Sequence, residues 1–370
     1  YLGQKKEDYA CKSADQLILF LMASSIGVMI LGYLCKNFIL YIVFGSIEQD
    51  VMNYSNTYLM IVFLSIPFIA VYNGGAALFR AMGNSKITMK ISIMMNLINI
   101  VGNYILIFKL KMGIAGAAIP TVFSRVVAAV VIFILIKNNN LPIHLSQKIC
   151  RKFDKTLIKK ILYIGVPNGL ENGMFQMGKI IVLNLISTFG TYAIAANAVG
   201  NFVALFQIIP GMAISQATLS VTSQCIGAGD YEQTKYYTKK LIKICTIAII
   251  ITVIITFVSI PLVLKAYNLS ANTAEISKII ILYHGSLSII IWTISFVLPN
   301  TLRAANDVKY CMIVAIFSMW VFRIGFSYIL GRYMNMGVIG VWVAMTIDWL
   351  FRGICFVKRY RGSKWKLHKI

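Results

Sequence analysis

Apolar residues fall along this chain in long runs, not in the alternating or one-faced patterns of a soluble fold. A membrane-crossing helix needs about 20 mostly apolar residues. The runs predict ten such helices, within residues 16–34, 58–79, 88–108, 114–136, 161–187, 193–214, 241–264, 276–298, 310–330 and 337–357. Six of the seven prolines (67, 120, 167, 210, 261 and 299) sit inside or at the edge of these runs. Proline breaks helices in water, but bundles in lipid tolerate it because neighbours re-satisfy the freed backbone groups. The expected fold is all-α and polytopic.

The segments between the runs carry the charge, and they carry it unevenly. One alternate set, with both termini, holds Lys5, Lys6, Arg80, Lys86, the run Lys148 to Lys160, Lys239, Lys240, Arg303, Lys309 and the tail from Lys358 to Lys369. The opposite set holds only Lys36, Lys109, Lys111, Lys265, Lys278 and Arg332. The positive-inside rule places the first set, and both ends of the chain, in the cytoplasm of a cell whose plasma membrane the chain crosses. The formal charge of +23 is thus a topology signal and not the footprint of a nucleic-acid binder. Composition agrees: of 370 residues 59% are hydrophobic and 13% charged, with a mean hydropathy of +0.78. A soluble domain carries about a quarter charged residues. The seven cysteines form no CxxC pair and read as small buried hydrophobes, with no metal site or disulfide framework in prospect.

The two halves repeat at an offset of about 224 residues. YLGQKKEDY pairs with CIGAGDYEQ, so that Gly3 matches Gly227; FRAMGNSK (79–86) pairs with LRAANDVK (302–309); NYILIFKLKMGIAG (103–116) pairs with SYILGRYMNMGVIG (327–340). Six predicted spans separate matched positions, and an even number leaves both copies facing the same way, as parallel repeats. The second copy has two further spans upstream whose counterparts would precede Tyr1. Four spans in an N-terminal lobe (1–137) and six in a C-terminal lobe (161–357) are therefore expected. A cytoplasmic linker (138–160) joins the lobes and a basic tail (358–370) follows. The chain, which opens without Met, reads as a fragment lacking two first helices.

Several segments resemble one family. GVPNGLENGMFQMGKI (165–180), FGTYAIAANAVGNF (189–202), LRAANDVK and MGVIGVWVAMTIDWLFRG (336–353) are similar to the second lobe of multidrug and toxin extrusion (MATE) transporters. FRAMGNSK, NLINIVGNYIL (96–106) and MGIAGAAIPTVFSR (112–125) are similar to the first. The resemblance implies a V-shaped pair of six-helix lobes, acting as a monomer. It implies an antiporter that exports small organic cations in exchange for Na⁺ or H⁺ by alternating access, with no cofactor.

Charged groups at membrane depth cost at least about 2.5 kcal/mol each on insertion scales, so each needs a use. Glu171 lies four residues after Pro167, in a stretch loosened by Gly165, Gly169 and Gly173 and flanked by Asn168 and Gln176. A carboxylate there can hold a proton, a Na⁺ or a cationic drug, one at a time, and such competition gives exchange. The alternative is a structural pair with Lys179, two turns along. In several family branches the acid of this helix sits one turn further from the proline, where this chain has Phe175. Asp348 and Arg352 are four apart and share a helix face; with Lys179 and Arg323 they form a candidate buried network, structural or gating. His284 reads as a hydrogen-bonded core histidine. In the first lobe Asn99 and Asn103 are four apart, with Thr121 nearby, where some family branches hold a cation with Asp in place of Asn103. Interhelical hydrogen bonding is the plainer use.

No nucleotide loop, HExxH or Ser/His set stands in the sequence, so ATP drive and intramembrane catalysis are not expected. The rival transporter is a flippase for a lipid-linked saccharide or other amphiphile on the same two-lobe plan. Its anionic cargo calls for an electropositive cavity.

Overall fold

In lipid the backbone has no water to bond, so apolar runs must close their hydrogen bonds internally, as helices. The computed structural model describes residues 1–38, 40, 49–146 and 152–367. The chain divides into two compact units, Tyr1–Ile161 and Leu162–Ile370. The first holds α1 (Glu7–Leu34), α2 (Gln49–Phe63), α3 (Ile66–Ala81), α4 (Ser85–Lys109) and α5 (Gly113–Ile136). Helix α6 (Lys155–Ser187) crosses the boundary between units. It is followed by α7 (Thr191–Gly227), α8 (Tyr231–Ala266), α9 (Ala271–Ala304), α10 (Val308–Tyr333) and α11 (Gly337–Arg361).

Eight described helices are long and apolar enough to cross a membrane, and the pair α2 and α3 makes a ninth candidate, bent by 47°. The expected span at 58–79 is therefore broken. Pro67 lies in the first turn of α3, where it has no N–H to continue a helical ladder from α2. The tenth expected span lies in α6, a 33-residue helix that is not among the candidates. Asn168, Glu171, Asn172, Gln176 and Lys179 dilute its hydropathy. Elsewhere large apolar side chains stand outward, such as Phe108 at 71%, Leu262 at 72% and Val258 at 77% exposure. Ridges of this kind suit lipid and would be costly in water.

The repeat is written into the backbone. Positive φ angles occur at Lys5 (57°) and Gly229 (77°), at Gly83 (76°) and Asn306 (64°), at Lys111 and Asn335 (both 53°), and at Gly113 and Gly337 (both 56°). Each pair is separated by the offset read from the sequence. Matched packing follows. A Cβ on Gly116 would stand 3.0 Å from the Leu106 carbonyl carbon, and one on Gly340 would stand 2.7 Å from that of Leu330. In both copies the partner lies in a π-helical segment, Tyr104–Lys109 and Ser327–Tyr333, whose widened turn brings backbone against backbone.

Each unit has its own core. In the first, Ala14 and Ile18 of α1, Phe79 of α3 and Ile132 of α5 pack with Ile143 and Leu145. The described start of the expected linker is thus docked. Ser146 donates from N and Oγ to Asp15, while Gln16 bonds to Lys152 and Asp154. The described part of the basic tail is docked too. Trp365, 1% exposed, stacks on Tyr360 and donates from Nε1 to its carbonyl at 2.8 Å.

Candidate functional site

On α6, Asn168, Glu171, Phe175, Lys179, Val182 and Ile186 recur at steps of three and four and form one stripe. On α7, Asn197, Asn201, Ala204, Ile208, Met212 and Ser215 do the same. Both stripes line a cavity of about 890 Å³ in the second unit, closed further by α9, α10 and α11. That volume falls in the range of small-molecule sites, about 300–1,000 Å³.

Glu171 is held by Arg303, whose Nη2 donates to Oε1 at 2.6 Å and to Oε2 at 2.8 Å. A break in α9 aims this arginine. Around Pro299 the Asn300 amide bonds back to Val297, which frees the Phe296 carbonyl. Ser215 Oγ and Asn300 Nδ2 both donate to that carbonyl, at 3.1 Å each. Asn300, so fixed, accepts from Arg303 Nη1 at 3.1 Å. Sequence reasoning placed Arg303 with the basic loops and offered Lys179 as the partner of Glu171. The structure extends α9 to Ala304 and turns Arg303 into the cavity. The signal was the unbroken run from Asn300 to Arg303 after the proline.

Asp348, 0% exposed, sits behind the cavity wall. Arg352 Nε donates to its Oδ1 at 2.8 Å, and Ser318 Oγ donates to the same oxygen. Arg323 Nη1 stands 3.7 Å from Oδ2, an ion pair too long for a good hydrogen bond. Lys179 is not in this network and makes no ion pair among the described residues. It joins only through Phe175, whose ring faces Lys179 Nζ at 4.9 Å, Arg323 Cζ at 5.3 Å and Arg352 Cζ at 5.9 Å.

Aromatic rings also line the cavity. His284 lies edge-on to Trp342 and Trp349, and Phe296 stacks on Trp292. Trp342 Nε1 donates to Asn197 Oδ1 at 3.2 Å. His284 Nδ1 lies 2.6 Å from Gln207 Oε1, a buried hydrogen bond between α9 and α7. The histidine is both hydrogen-bonded in the core and part of the lining.

Of the other predicted residues, Asn168 lines the cavity, while Gln176 is exposed and outside the lining. In the first unit Asn103 Nδ2 donates to Asn99 Oδ1 at 3.1 Å and Asn99 Nδ2 to Thr121 Oγ1 at 3.0 Å, a ladder that joins α4 to α5. Arg125 donates to Ser65 Oγ at 2.6 Å. Among the described residues no group of three or more His, Cys, Asp or Glu gathers as a metal site.

Known proteins share this plan. The chain is 25% identical over 333 residues to the probable multidrug resistance protein YoeA of Bacillus subtilis (strain 168), covering 87% of this chain and 70% of YoeA. Related curated proteins are longer, and the chain spans between 64% and 78% of their lengths. A solved multidrug resistance MATE family transporter of the MOP superfamily, in an outward-facing conformation, superposes with a TM-score of 0.87 at 20% identity, covering 98% of this chain and 81% of its own. A MOP superfamily transporter from Pyrococcus furiosus Vc1 (DSM3638), described as having a reversed binding-pocket polarity that suggests a different function, gives 0.82 at 21% identity, with 98% and 82% covered. The MatE family profile matches residues 1–105 and 167–329, well over half of the chain. The chain belongs to the MatE family of membrane transporters.

Proposed function

We propose that the full-length protein is a multidrug-type exporter of amphiphilic organic compounds, working by alternating access across the plasma membrane. The cavity of the second unit is its cargo chamber, and both chain ends are cytoplasmic. One observation carries this reading: a site of about 890 Å³, lined by both aromatic and charged side chains, inside a bundle of membrane-crossing helices. An inward Na⁺ or H⁺ gradient drives export, since one charge crossing 100 mV supplies about 2.3 kcal/mol. Coupling acts at Glu171. A proton or Na⁺ arriving there competes with Arg303 for the carboxylate, so loading the ion releases the arginine and with it the α6–α9 contact.

The test is efflux of fluorescent amphiphiles from proteoliposomes with Na⁺ and pH gradients imposed separately. Gradient-dependent export by wild type and its loss in Glu171→Gln are expected. Undiminished coupled export by the variant removes Glu171 from the mechanism, and no export of any amphiphile removes the exporter. A flippase for a lipid-linked amphiphile is the second reading, supported by the excess of cations over carboxylates around the cavity.

A further inference from the structure

Four cations line the cavity of the second unit: Lys179, Arg303, Arg323 and Arg352. Two carboxylates serve them, Glu171 from the lining and Asp348 from behind it. Four against two leaves an excess of two positive charges, and geometry identifies the underserved pair. Arg303 has both oxygens of Glu171 within 2.8 Å, and Arg352 has Oδ1 of Asp348 at 2.8 Å. Arg323 has the distant Oδ2 of Asp348, at 3.7 Å, a contact too long for a good hydrogen bond, and its side chain is 14% exposed. Lys179 has no acid among the described residues.

Both underserved cations stand over one ring, that of Phe175. A ring face attracts cations but carries no net charge, so the repulsion between the two is left for a ligand to relieve. A cationic cargo would add to it. An acidic group is complementary: a guanidinium fork and an ammonium together present more donors than a carboxylate, sulfonate or phosphate can use. The rings of Trp292, Phe296, Trp342 and Trp349 line the same cavity and suit an apolar or aromatic body.

We propose that this cavity takes an anionic amphiphile, its acidic group seated between Lys179 and Arg323 at Phe175 and its apolar body against the tryptophan wall. The proposal rests on the exporter reading and names the charge of its cargo. The acidic group can belong to a soluble aromatic anion or to a lipid phosphate, and the two arms of the test separate these sources.

The soluble arm uses one pyrene scaffold carrying either a sulfonate or a trimethylammonium, with binding and export measured on full-length protein in proteoliposomes. The lipid arm measures scrambling of fluorescent phosphatidylglycerol and phosphatidylcholine in the same vesicles. The sulfonate, or phosphatidylglycerol, is expected to be handled at least tenfold better than its cationic or zwitterionic counterpart. Lys179→Met weakens the anion by about tenfold, Lys179→Arg retains it, and Lys179→Glu moves preference toward the ammonium. Preference for the ammonium by wild type, or an anion unaffected by Lys179→Met, overturns the anionic site while leaving an exporter intact. Failure to move either pyrene or either lipid overturns both readings.

Discussion

Glu171 and Arg303 close the cavity between α6 and α9, and the energy of their contact can be worked from its geometry. The side chains are 16% and 18% exposed, and two charge-assisted bonds of 2.6 and 2.8 Å join them. Removing one member of a fully buried pair costs about 3–5 kcal/mol, chiefly because the other charge is stranded. Partial access to the cavity lowers that to about 2–3 kcal/mol, and Arg303, whose Nε already lacks a partner, has only Asn300 to fall back on. Glu171→Gln should therefore lower the melting temperature by about 4–12 °C for a unit of this size. Arg303→Met, which strands the carboxylate instead, should act similarly. The double variant removes both charges and should return to within about 1 kcal/mol of wild type, a coupling of at least about 3 kcal/mol. Thermal unfolding of the purified protein in detergent reads all four forms. If Glu171→Gln melts with wild type, or the two single losses simply add, the contact is a surface-like pair and the argument for a latch is wrong.

Three further outcomes follow from the packing and the topology. Gly340→Ala forces a Cβ to within 2.8 Å of the Leu330 backbone and should cost about 1–3 kcal/mol in melting experiments, whereas Gly169→Ala meets nothing within 4 Å and should be neutral or slightly stabilising. Asp348→Ser strands Arg352 and Arg323 and should cost about 3–5 kcal/mol, but the triple variant Arg323→Asn, Asp348→Ser, Arg352→Met should recover most of it; equal loss in both would contradict the desolvation argument. Cys35, exposed at the end of α1 in a segment assigned to the outside, should react with a membrane-impermeant maleimide on intact cells, and protection there would reverse the topology.

How much of this was legible in the sequence depended on which signal a residue gave. The repeat was readable because turn residues recur at one offset, and the backbone repeats its left-handed positions at Lys5 and Gly229 and at Lys111 and Asn335. The pairing of Asp348 with Arg352 was readable from a spacing of four on one helix. The partner of Glu171 was not, because Arg303 is 132 positions away and its direction is set by the broken turn at Val297 and the two side chains that repair it. Nor was the isolation of Lys179. A sequence offers acids as candidate partners without saying that Arg303 and Arg352 have already taken them.

The duplication supplies an internal control for the charged wall. At the common offset of 224, Asn99 corresponds to Arg323, Ser124 to Asp348 and Ala128 to Arg352. The first copy joins its two helices with neutral groups: the amide ladder from Asn103 through Asn99 to Thr121, and a buried Ser124 bonded within its own helix. Such groups are cheap to bury in a bundle. The second copy builds the equivalent crossing from ions, each expensive at membrane depth. Since the same pair of helices packs without charge in one copy, packing does not explain the charge in the other. Beside the charged crossing lies the cavity, which Arg323 and Arg352 line and Asp348 supports from behind. On the proposed exporter reading, the ions stand where cargo can make use of them.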